Sequence, residues 1–211
     1  MVIHRVFDEV LRSWSHVAVL RALLDTMTGF SGNEVARVAG MHPRSAIKAL
    51  SSLEVLGIVR RQRGGLDHIF TLNRDHFAVR EGLLGLYEAE RRFPGAIMSA
   101  LSGILQRRVV SAVIFGSVAK NEETPESDFD LCCVVKTEAE KEKAREVLLS
   151  ESTALHEEFG IKIAALFLTV EELRKRAHTP LVKDMLVNGK PVLGAHLKKL
   201  LNDKTPKQKS C

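Results

Sequence analysis

The sequence predicts a two-domain protein of the α/β (α+β) class, and two features lead to this prediction. At 211 residues, of which 45% are hydrophobic, the chain is long enough for two cores of about 80 to 120 residues each. The spacing of apolar residues also changes along the chain, from helical periods and a hairpin in the first third to continuous apolar runs, typical of buried strands, in the last half. We therefore expect a mainly helical first domain and a second domain with a small mixed sheet flanked by helices.

The domain boundaries follow from these changes in pattern. Residues 1–76 form the predicted first domain, residues 77–106 a helical connector, residues 107–196 the second domain and residues 197–211 a basic tail. The tail is expected to begin as a helical stretch and to be too polar to pack from Asn202 onward. Pro94-Gly95 is predicted to interrupt the connector. An apolar stripe on the connector is expected either to pair two copies as a homodimer or to dock the two domains together, and it consists of Leu83, Leu84, Leu86 and Tyr87.

The positive charge is unevenly distributed. Residues 1–80 contain eleven Lys and Arg against seven Asp and Glu, whereas residues 81–197 contain fifteen against eighteen. A basic first domain favours a polyanionic partner, because phosphate neutralisation supplies most of the sequence-independent affinity for nucleic acids. The sequence has no run approaching the roughly 20 apolar residues of a membrane span and no secretory signal at its start. We expect a cytoplasmic protein with no membrane partner.

The cysteines and histidines do not suggest a zinc site. Cys132 and Cys133 are adjacent and Cys211 is terminal, so the three have neither disulfide nor metal-ligand spacing. The eight histidines are scattered, with no i, i+4 pair beside cysteines or acids. We expect the adjacent cysteines to be small core residues in a protein of a reducing compartment.

Three helices are predicted in the first domain. Apolar residues at helical spacing predict a helix over Val17–Met27. Ser31 stands three residues before Glu34, which is a capping box for a second helix that ends at Gly40. A third helix is predicted over Pro43–Gly57, since proline suits the first turn. Its expected buried stripe is Ala46, Ile47, Leu50, Leu53 and Leu56.

A predicted hairpin follows the third helix. Its strands cover residues 58–63 and 66–72 and turn at Gly64-Gly65, a loop that tolerates positive φ. The order helix, capped helix, tight turn, helix and basic hairpin resembles the winged helix-turn-helix of bacterial and archaeal regulators. This resemblance implies that the third helix enters the major groove of DNA and that the hairpin, or wing, reaches the backbone or the minor groove.

The basic residues of these elements are the candidate DNA contacts. Arg44, Ser45 and Lys48 lie in the first turns of the third helix, where base edges are met. Arg60, Arg61 and Arg63 lie on the wing and are assigned to phosphates. The alternative is that these residues form a solvated face and that the domain mediates protein contacts only.

The second domain is predicted to contain three buried strands, over Val109–Phe115, Phe129–Val135 and Ile161–Leu168. A charged amphipathic helix over Thr137–Phe159 joins the last two. Further helices are expected from Val170, with Thr169 and Glu172 as a capping box, and over Leu181–Val187, before a short edge strand at Pro191–Leu193.

A strand-turn-carboxylate motif carries the chemistry of this domain. Gly116-Ser117 follows the first buried strand, and ten residues separate it from Asp128-Phe129-Asp130 at the start of the second. A Gly-Ser turn lets the backbone approach a phosphate, and the N–H groups of a helix that begins there would point at it. The two aspartates alternate on a strand, so both carboxylates project to one face and can share magnesium ions bound to nucleotide phosphates.

This motif resembles the signature of the minimal nucleotidyltransferases of the DNA polymerase β-like superfamily, and the resemblance covers about residues 107–195. It implies a nucleoside triphosphate and Mg²⁺ as ligands, with Lys120 at the family's basic position. Two departures accompany it. Asn121 replaces a common glycine, and Ile161–Leu168 contains no Asp or Glu where active members add a third carboxylate.

Three functions are compatible with the sequence. The first is a DNA-binding regulator whose second domain binds a nucleotide and Mg²⁺ through Gly116, Ser117, Lys120, Asp128 and Asp130. The second is an active nucleotidyltransferase that transfers a nucleoside monophosphate to a protein, RNA or small-molecule hydroxyl, with Asp128 and Asp130 as catalytic residues and a third acid from elsewhere. The third is a protein-interaction scaffold that binds neither DNA nor nucleotide.

Overall fold

The computed structural model describes residues 2–64 and 67–202. The chain divides into two compact units, Met1–Phe93 and Pro94–Cys211. Over the described ranges, no helix is long and apolar enough to cross a membrane.

The first unit is a small helical domain with a short antiparallel sheet. Strand order in the sheet is β1-β3-β2, and a π-helical segment, Val79–Leu83, leads into the next long helix. The elements are α1 (Val6–Val10), α2 (Trp14–Leu24), β1 (Phe30–Ser31), α3 (Gly32–Val38), α4 (Pro43–Val55), β2 (Val59–Gly64) and β3 (Asp67–Leu72).

Local capping explains where these helices begin. The side chain of Ser13 accepts a hydrogen bond from the backbone N–H of His16, so α2 starts at Trp14 rather than at Val17 and ends before the predicted Met27. The predicted capping box is present: Ser31 accepts from the N–H of Glu34, whose carboxylate accepts from the N–H of Ser31. Helices α3 and α4 end two residues before Gly40 and Gly57, earlier than predicted.

The core of the first unit confirms most of the predicted stripe of α4. Ala46, Leu50 and Leu53 are buried, but the prediction for Ile47 is wrong, because 43% of this residue is exposed. Leu56 lies past the end of the helix and is only partly buried. These residues pack with Val19 and Leu23 of α2 and with Phe70 of β3.

The hairpin differs from its prediction by one residue. Gly64 pairs with Asp67 in the β2–β3 ladder, so the two-residue connection is 65–66 and not Gly64-Gly65. Gly65 and Leu66 themselves lie outside the described residues. The strand β1, which was not predicted, adds to the hairpin because Phe30 pairs with Phe70.

The second unit has a four-stranded mixed sheet with strand order β6-β5-β4-β7. The β4–β5 and β4–β7 pairs are antiparallel and the β5–β6 pair is parallel. The remaining elements are α5 (Leu84–Leu105), β4 (Ser111–Ile114), α6 (Gly116–Lys120), β5 (Phe129–Val135), α7 (Glu138–Phe159), β6 (Ile163–Thr169), α8 (Val170–Lys175), α9 (Pro180–Asn188), β7 (Lys190–Gly194) and α10 (Leu197–Asn202).

Several predictions for this unit are confirmed and others are corrected. Strand β5 has its predicted bounds, β7 lies at the sheet edge as expected, and Thr169 and Glu172 form the predicted capping box. The predicted interruption at Pro94-Gly95 is wrong, because α5 runs through Pro94. A proline removes one backbone donor, which weakens a helix without having to end it. Of the predicted tail, residues 197–202 form α10, whose Leu197 is buried in the core of this unit, and residues 203–211 lie outside the described part of the chain.

The sheet of the second unit is buried on both faces, as its continuous apolar strands predicted. Leu131 and Cys133 pack in one hydrophobic cluster, and Cys132 and Val134 in another. The prediction that the adjacent cysteines are core residues is confirmed, since both are fully buried. Burial raises the pKa of the Cys132 thiol to about 12, so this thiol is protonated and unreactive at neutral pH.

Candidate functional site

The Gly-Ser bend and the second aspartate of the motif are in contact. Gly116 follows β4 with φ of +71°, and a Cβ atom built on it would lie 2.1 Å from Oδ2 of Asp130. The backbone N–H of Phe115 donates to the carbonyl oxygen of Asp130 at 3.0 Å, which holds the bend beside the start of β5. Glycine is required here for two reasons. The backbone at position 116 is left-handed, and the Asp130 carboxylate occupies the space in which a side chain would lie.

Asp128 lies immediately before β5 and Asp130 is its second residue, and the two carboxylates affect each other. Asp130 is half-buried and Asp128 is exposed. Burial, and then the negative charge of Asp128, raise the pKa of Asp130 above its ordinary value. The carboxylates are thus close enough to repel, which is a repulsion that a divalent cation would relieve.

Strand β6 supplies a cation but no acid to this face. Ala164 is the parallel partner of Asp130 in the β5–β6 ladder. Lys162, just before β6, places its ammonium nitrogen 3.3 Å from Oδ1 of Asp128. Within the described ranges, no group of three or more His, Cys, Asp or Glu side chains could hold a metal ion. The sequence analysis missed Lys162, and the available signal was its place inside the predicted strand Ile161–Leu168, where active members of the family add a third carboxylate.

Lys120, predicted to bind nucleotide, is held by another residue. Its ammonium lies 2.9 Å from Oδ1 of Asp184 on α9, and this hydrogen bond raises the pKa of Lys120 and lowers that of Asp184. Its charge is therefore already neutralised in this arrangement. Asn121, which follows it, adopts φ of 58°, a left-handed conformation that asparagine tolerates better than most residues. The replacement of the family glycine by Asn121 is thereby explained.

Replacing Asp128 by Asn should lower the pKa of Asp130. The substitution removes the negative neighbour while burial persists, so the pKa of Asp130 should fall but stay above that of an exposed aspartate. The measurement is an NMR titration of the Asp130 carboxyl carbon in wild type and Asp128→Asn. Glu126→Gln, an exposed acid in the same loop, is the control and should leave the titration unchanged. An unaltered pKa in Asp128→Asn would show that the carboxylates do not interact.

In the first unit, the candidate base contacts are exposed on one end of α4. Arg44, Ser45 and Lys48 are all exposed. Ser45 and Lys48 also line a pocket of about 340 Å³ that contains no carboxylate, and its other lining residues are Arg12, Ser13, Ser15, His16 and Ala49. The sequence analysis missed Arg12, because the start of α2 was placed three residues too late and Arg12 was not among the basic residues considered as DNA contacts.

The wing arginines are not equally available. Arg60 is paired with Asp75 at 2.9 Å and Arg61 with Glu54 at 3.1 Å. Arg63 is exposed and has no ion pair within the described residues. Two of the three predicted phosphate contacts therefore already have an acidic partner, whereas Arg44 and Lys48 of α4 have none within the described residues.

The predicted stripe of the connector is only partly available to a partner. Leu83 is buried in the core of the first unit and Leu84 packs against it. Leu86 is exposed and Tyr87 half-buried, and both line a mainly apolar groove of about 160 Å³ beside α2. This leaves a small apolar surface rather than a broad stripe.

Comparisons with known proteins identify the second unit more closely. Residues 97–193 match the family model of the nucleotidyltransferase domain. The search of curated proteins gave no match.

Two solved structures are distantly similar to the chain. A crystal structure of a toxin-antitoxin with AMP-PNP shares 13% identity over 50% of this chain and 79% of that one, with a TM-score of 0.34. A crystal structure of a mutant of the toxin-antitoxin MntA-HpeT shares 12% identity over 49% of this chain and 80% of that one, with a TM-score of 0.35. Neither likeness is close enough to carry an argument about fold or function.

Proposed function

We propose that this protein is a cytoplasmic DNA-binding regulator whose nucleotidyltransferase domain binds a nucleoside triphosphate with Mg²⁺. The observation that carries the proposal is the packing of the Asp130 carboxylate against the left-handed Gly116, next to Asp128. This places two hard oxygen ligands beside a bend at which a phosphate can approach the backbone. Gly116 and Ser117 bind the phosphates, and Asp128 and Asp130 hold the metal.

The donor set of the site fits a magnesium ion. Mg²⁺ is usually held by one or two carboxylates, with phosphate oxygens and water completing its octahedral shell. When bound, the ion bridges the nucleotide phosphates and neutralises part of their charge. Asp130 must be ionised to act as a ligand, and because its pKa is raised, its contribution to metal affinity is lost on acidification at a higher pH than for an ordinary aspartate.

The residues at and before the start of β6 favour a domain that binds the nucleotide without transferring it. An acceptor hydroxyl needs a base to take its proton, and the two-metal arrangement needs a further anionic ligand. The position beside Asp130 is Ala164, and the group beside Asp128 is the ammonium of Lys162. Lys162 lowers the negative charge of the site instead of raising it, which disfavours a second divalent cation.

The first unit supports DNA as the partner of this regulator. In its order of elements, α2, α3 and α4 are followed by a hairpin to which β1 adds a third strand, and this order resembles a winged helix-turn-helix. We assign Arg44, Ser45 and Lys48 of α4 to base edges and Arg63, with Arg60 and Arg61 to a smaller degree, to phosphates. A homodimer is also part of the proposal, with Leu86 and its apolar groove as the contact.

Two measurements on the wild-type protein test the proposal. In calorimetry, a non-hydrolysable ATP analogue should bind in the presence of Mg²⁺ and lose its affinity in EDTA. In a second assay, the four α-labelled nucleoside triphosphates are incubated with the protein, Mg²⁺, total RNA and cell extract. We expect no labelled protein, RNA or small molecule. Label transfer that requires Asp128 and Asp130 would replace the regulator by the active transferase, and the absence of nucleotide binding would reject both.

A further inference from the structure

A second polar pocket lies at the other end of the sheet of the second unit. The N–H of Val110, just before β4, donates to the carbonyl of Val134 near the end of β5, whereas Gly116 and Asp130 lie at the opposite ends of these two strands. The pocket has a volume of about 350 Å³ and is formed by residues 107–110, Lys136 after β5, and Glu140 and Lys143 of α7. It is thus separate from the proposed nucleotide site, and no role has been assigned to it so far.

The charge of this pocket is strongly one-sided. Four cations line it, Arg107, Arg108, Lys136 and Lys143, against the single acid Glu140. Glu140 is already engaged, because one of its oxygens accepts from the backbone N–H of Lys136 at 2.9 Å. Within the described part of the chain, none of the four cations has a carboxylate partner within ion-pair distance. This contrasts with Lys120 and Lys141 of the same unit, which are both paired with acids.

Arg108 is held in place by the end of α5, and its neighbour Arg107 has an unusual backbone conformation. The guanidinium of Arg108 donates to the carbonyl oxygen of Ile104 at 2.9 Å, which fixes one side of the group and leaves other N–H donors free. Arg107 adopts φ of 65°, a left-handed conformation that is unfavourable for a long side chain. Cations that line one pocket repel one another, and a bound anion would relieve this repulsion, which favours anion binding.

We propose that this pocket binds a small phosphorylated molecule of about the size of a mononucleotide, without a metal ion. The concave shape and the volume of about 350 Å³ match the lower part of the range of small-molecule sites, about 300–1,000 Å³. A nucleic-acid backbone would instead be served by an extended basic stripe. Val109 and Val110 give the pocket apolar walls for the organic part of the ligand, and Glu140 can accept a hydrogen bond from a hydroxyl group.

The test uses inorganic pyrophosphate and AMP as probes, each titrated calorimetrically into the full-length protein in EDTA at low salt. Metal-free conditions and the double variant Asp128→Asn/Asp130→Asn both abolish binding at the proposed nucleotide site. A failure of the pocket proposal can therefore be distinguished from a failure of the nucleotide-site proposal. We expect both probes to bind wild type and this variant equally. Arg107→Asn/Lys143→Gln should weaken binding at least about tenfold, as for the loss of one charge-assisted hydrogen bond. Asparagine keeps the left-handed backbone at position 107 accessible, and glutamine is a good helix former for α7.

A matched control separates a built pocket from general electrostatic attraction. Lys198→Gln/Lys199→Gln removes the same charge from exposed positions on α10 and should leave the affinity for both probes unchanged. Three results would overturn the proposal: no binding of either probe to wild type in EDTA, an equal loss in the control variant, or loss of binding in Asp128→Asn/Asp130→Asn. Competition by single-stranded DNA at lower concentration than AMP would overturn it as well, in favour of a nucleic-acid surface.

Discussion

Asp130→Asn is expected to lower the Mg²⁺-dependent affinity for a nucleoside triphosphate by at least about 10–100-fold. A loss of about 10–100-fold is typical when a residue that only hydrogen-bonds to a metal ligand is replaced. The loss of a ligand itself should therefore be at least as large. The substitution preserves the shape of the side chain against Gly116, where a Cβ atom would meet Oδ2 of Asp130 at 2.1 Å. It removes the negative charge of the Asp130 carboxylate. Because Asp130 is half-buried, this charge is unfavourable unless a cation is bound. Calorimetry with a non-hydrolysable ATP analogue and Mg²⁺ measures the effect.

The control for this prediction lies two residues before Asp128. Glu126 is an exposed acid in the loop that leads to Asp128, and Glu126→Gln changes the net charge by the same amount. It should bind the nucleotide as wild type does. If Asp130→Asn retained full Mg²⁺-dependent affinity with an unchanged thermal unfolding temperature, the metal would have to be held elsewhere and the proposed site would be rejected.

The parts of the fold that the sequence predicted well are those decided by neighbouring residues. The capping boxes of Ser31 with Glu34 and of Thr169 with Glu172 each depend on a spacing of three residues, and both are present. The bounds of β5 follow from one uninterrupted apolar run, and the structure reproduces them. The contact between Gly116 and Asp130 depends instead on the antiparallel pairing of β4 with β5, which are separated along the chain by α6 and a loop.

The residues whose surroundings could not be predicted are those with partners far along the chain. Lys120 is neutralised by Asp184 and Arg60 by Asp75, and no local pattern identifies such pairs. Lys162 reaches Asp128 only because β6 lies parallel to β5, a pairing that requires a crossover through α7. In each of these cases the sequence indicated a charge correctly, whereas its availability to a ligand was decided by tertiary contacts.

The difference between ion-paired and unpaired basic residues narrows the surface of the first unit that is expected to face DNA. Formal charge alone treats all basic residues of the first unit alike. Two wing arginines have acidic partners, whereas Arg44 and Lys48 of α4 have none within the described residues. Lys48 lines a pocket together with Arg12, whose own acidic partner is Glu9 at 3.4 Å. An ion-paired arginine must give up its partner before it can neutralise a phosphate, so its net contribution to binding is reduced. The surface around α4 is therefore the expected centre of the interface.

Arg44→Ala/Lys48→Ala is accordingly expected to weaken DNA binding by about 100-fold. The expectation rests on a loss of about 1–3 kcal/mol of binding free energy for each side chain that contacts a base. Both side chains are exposed, so their truncation should leave the stability of the domain unchanged. The measurement is fluorescence anisotropy with a duplex selected from a random-sequence pool by the wild-type protein, repeated over a range of salt concentrations. The slope of log affinity against log salt for wild type should be steep, because phosphate neutralisation releases counterions.

Arg60→Ala provides the comparison, since the partner of Arg60 is Asp75 at 2.9 Å. This variant also loses one wing cation but should weaken binding several-fold at most, because the freed Asp75 is exposed and the arginine was already neutralised. A larger loss in Arg60→Ala than in Arg44→Ala/Lys48→Ala would move the interface from α4 to the wing. A flat salt response of the wild-type protein would remove DNA as its partner, because an interface built from cationic side chains on a phosphate backbone has to weaken as salt competes for the phosphates.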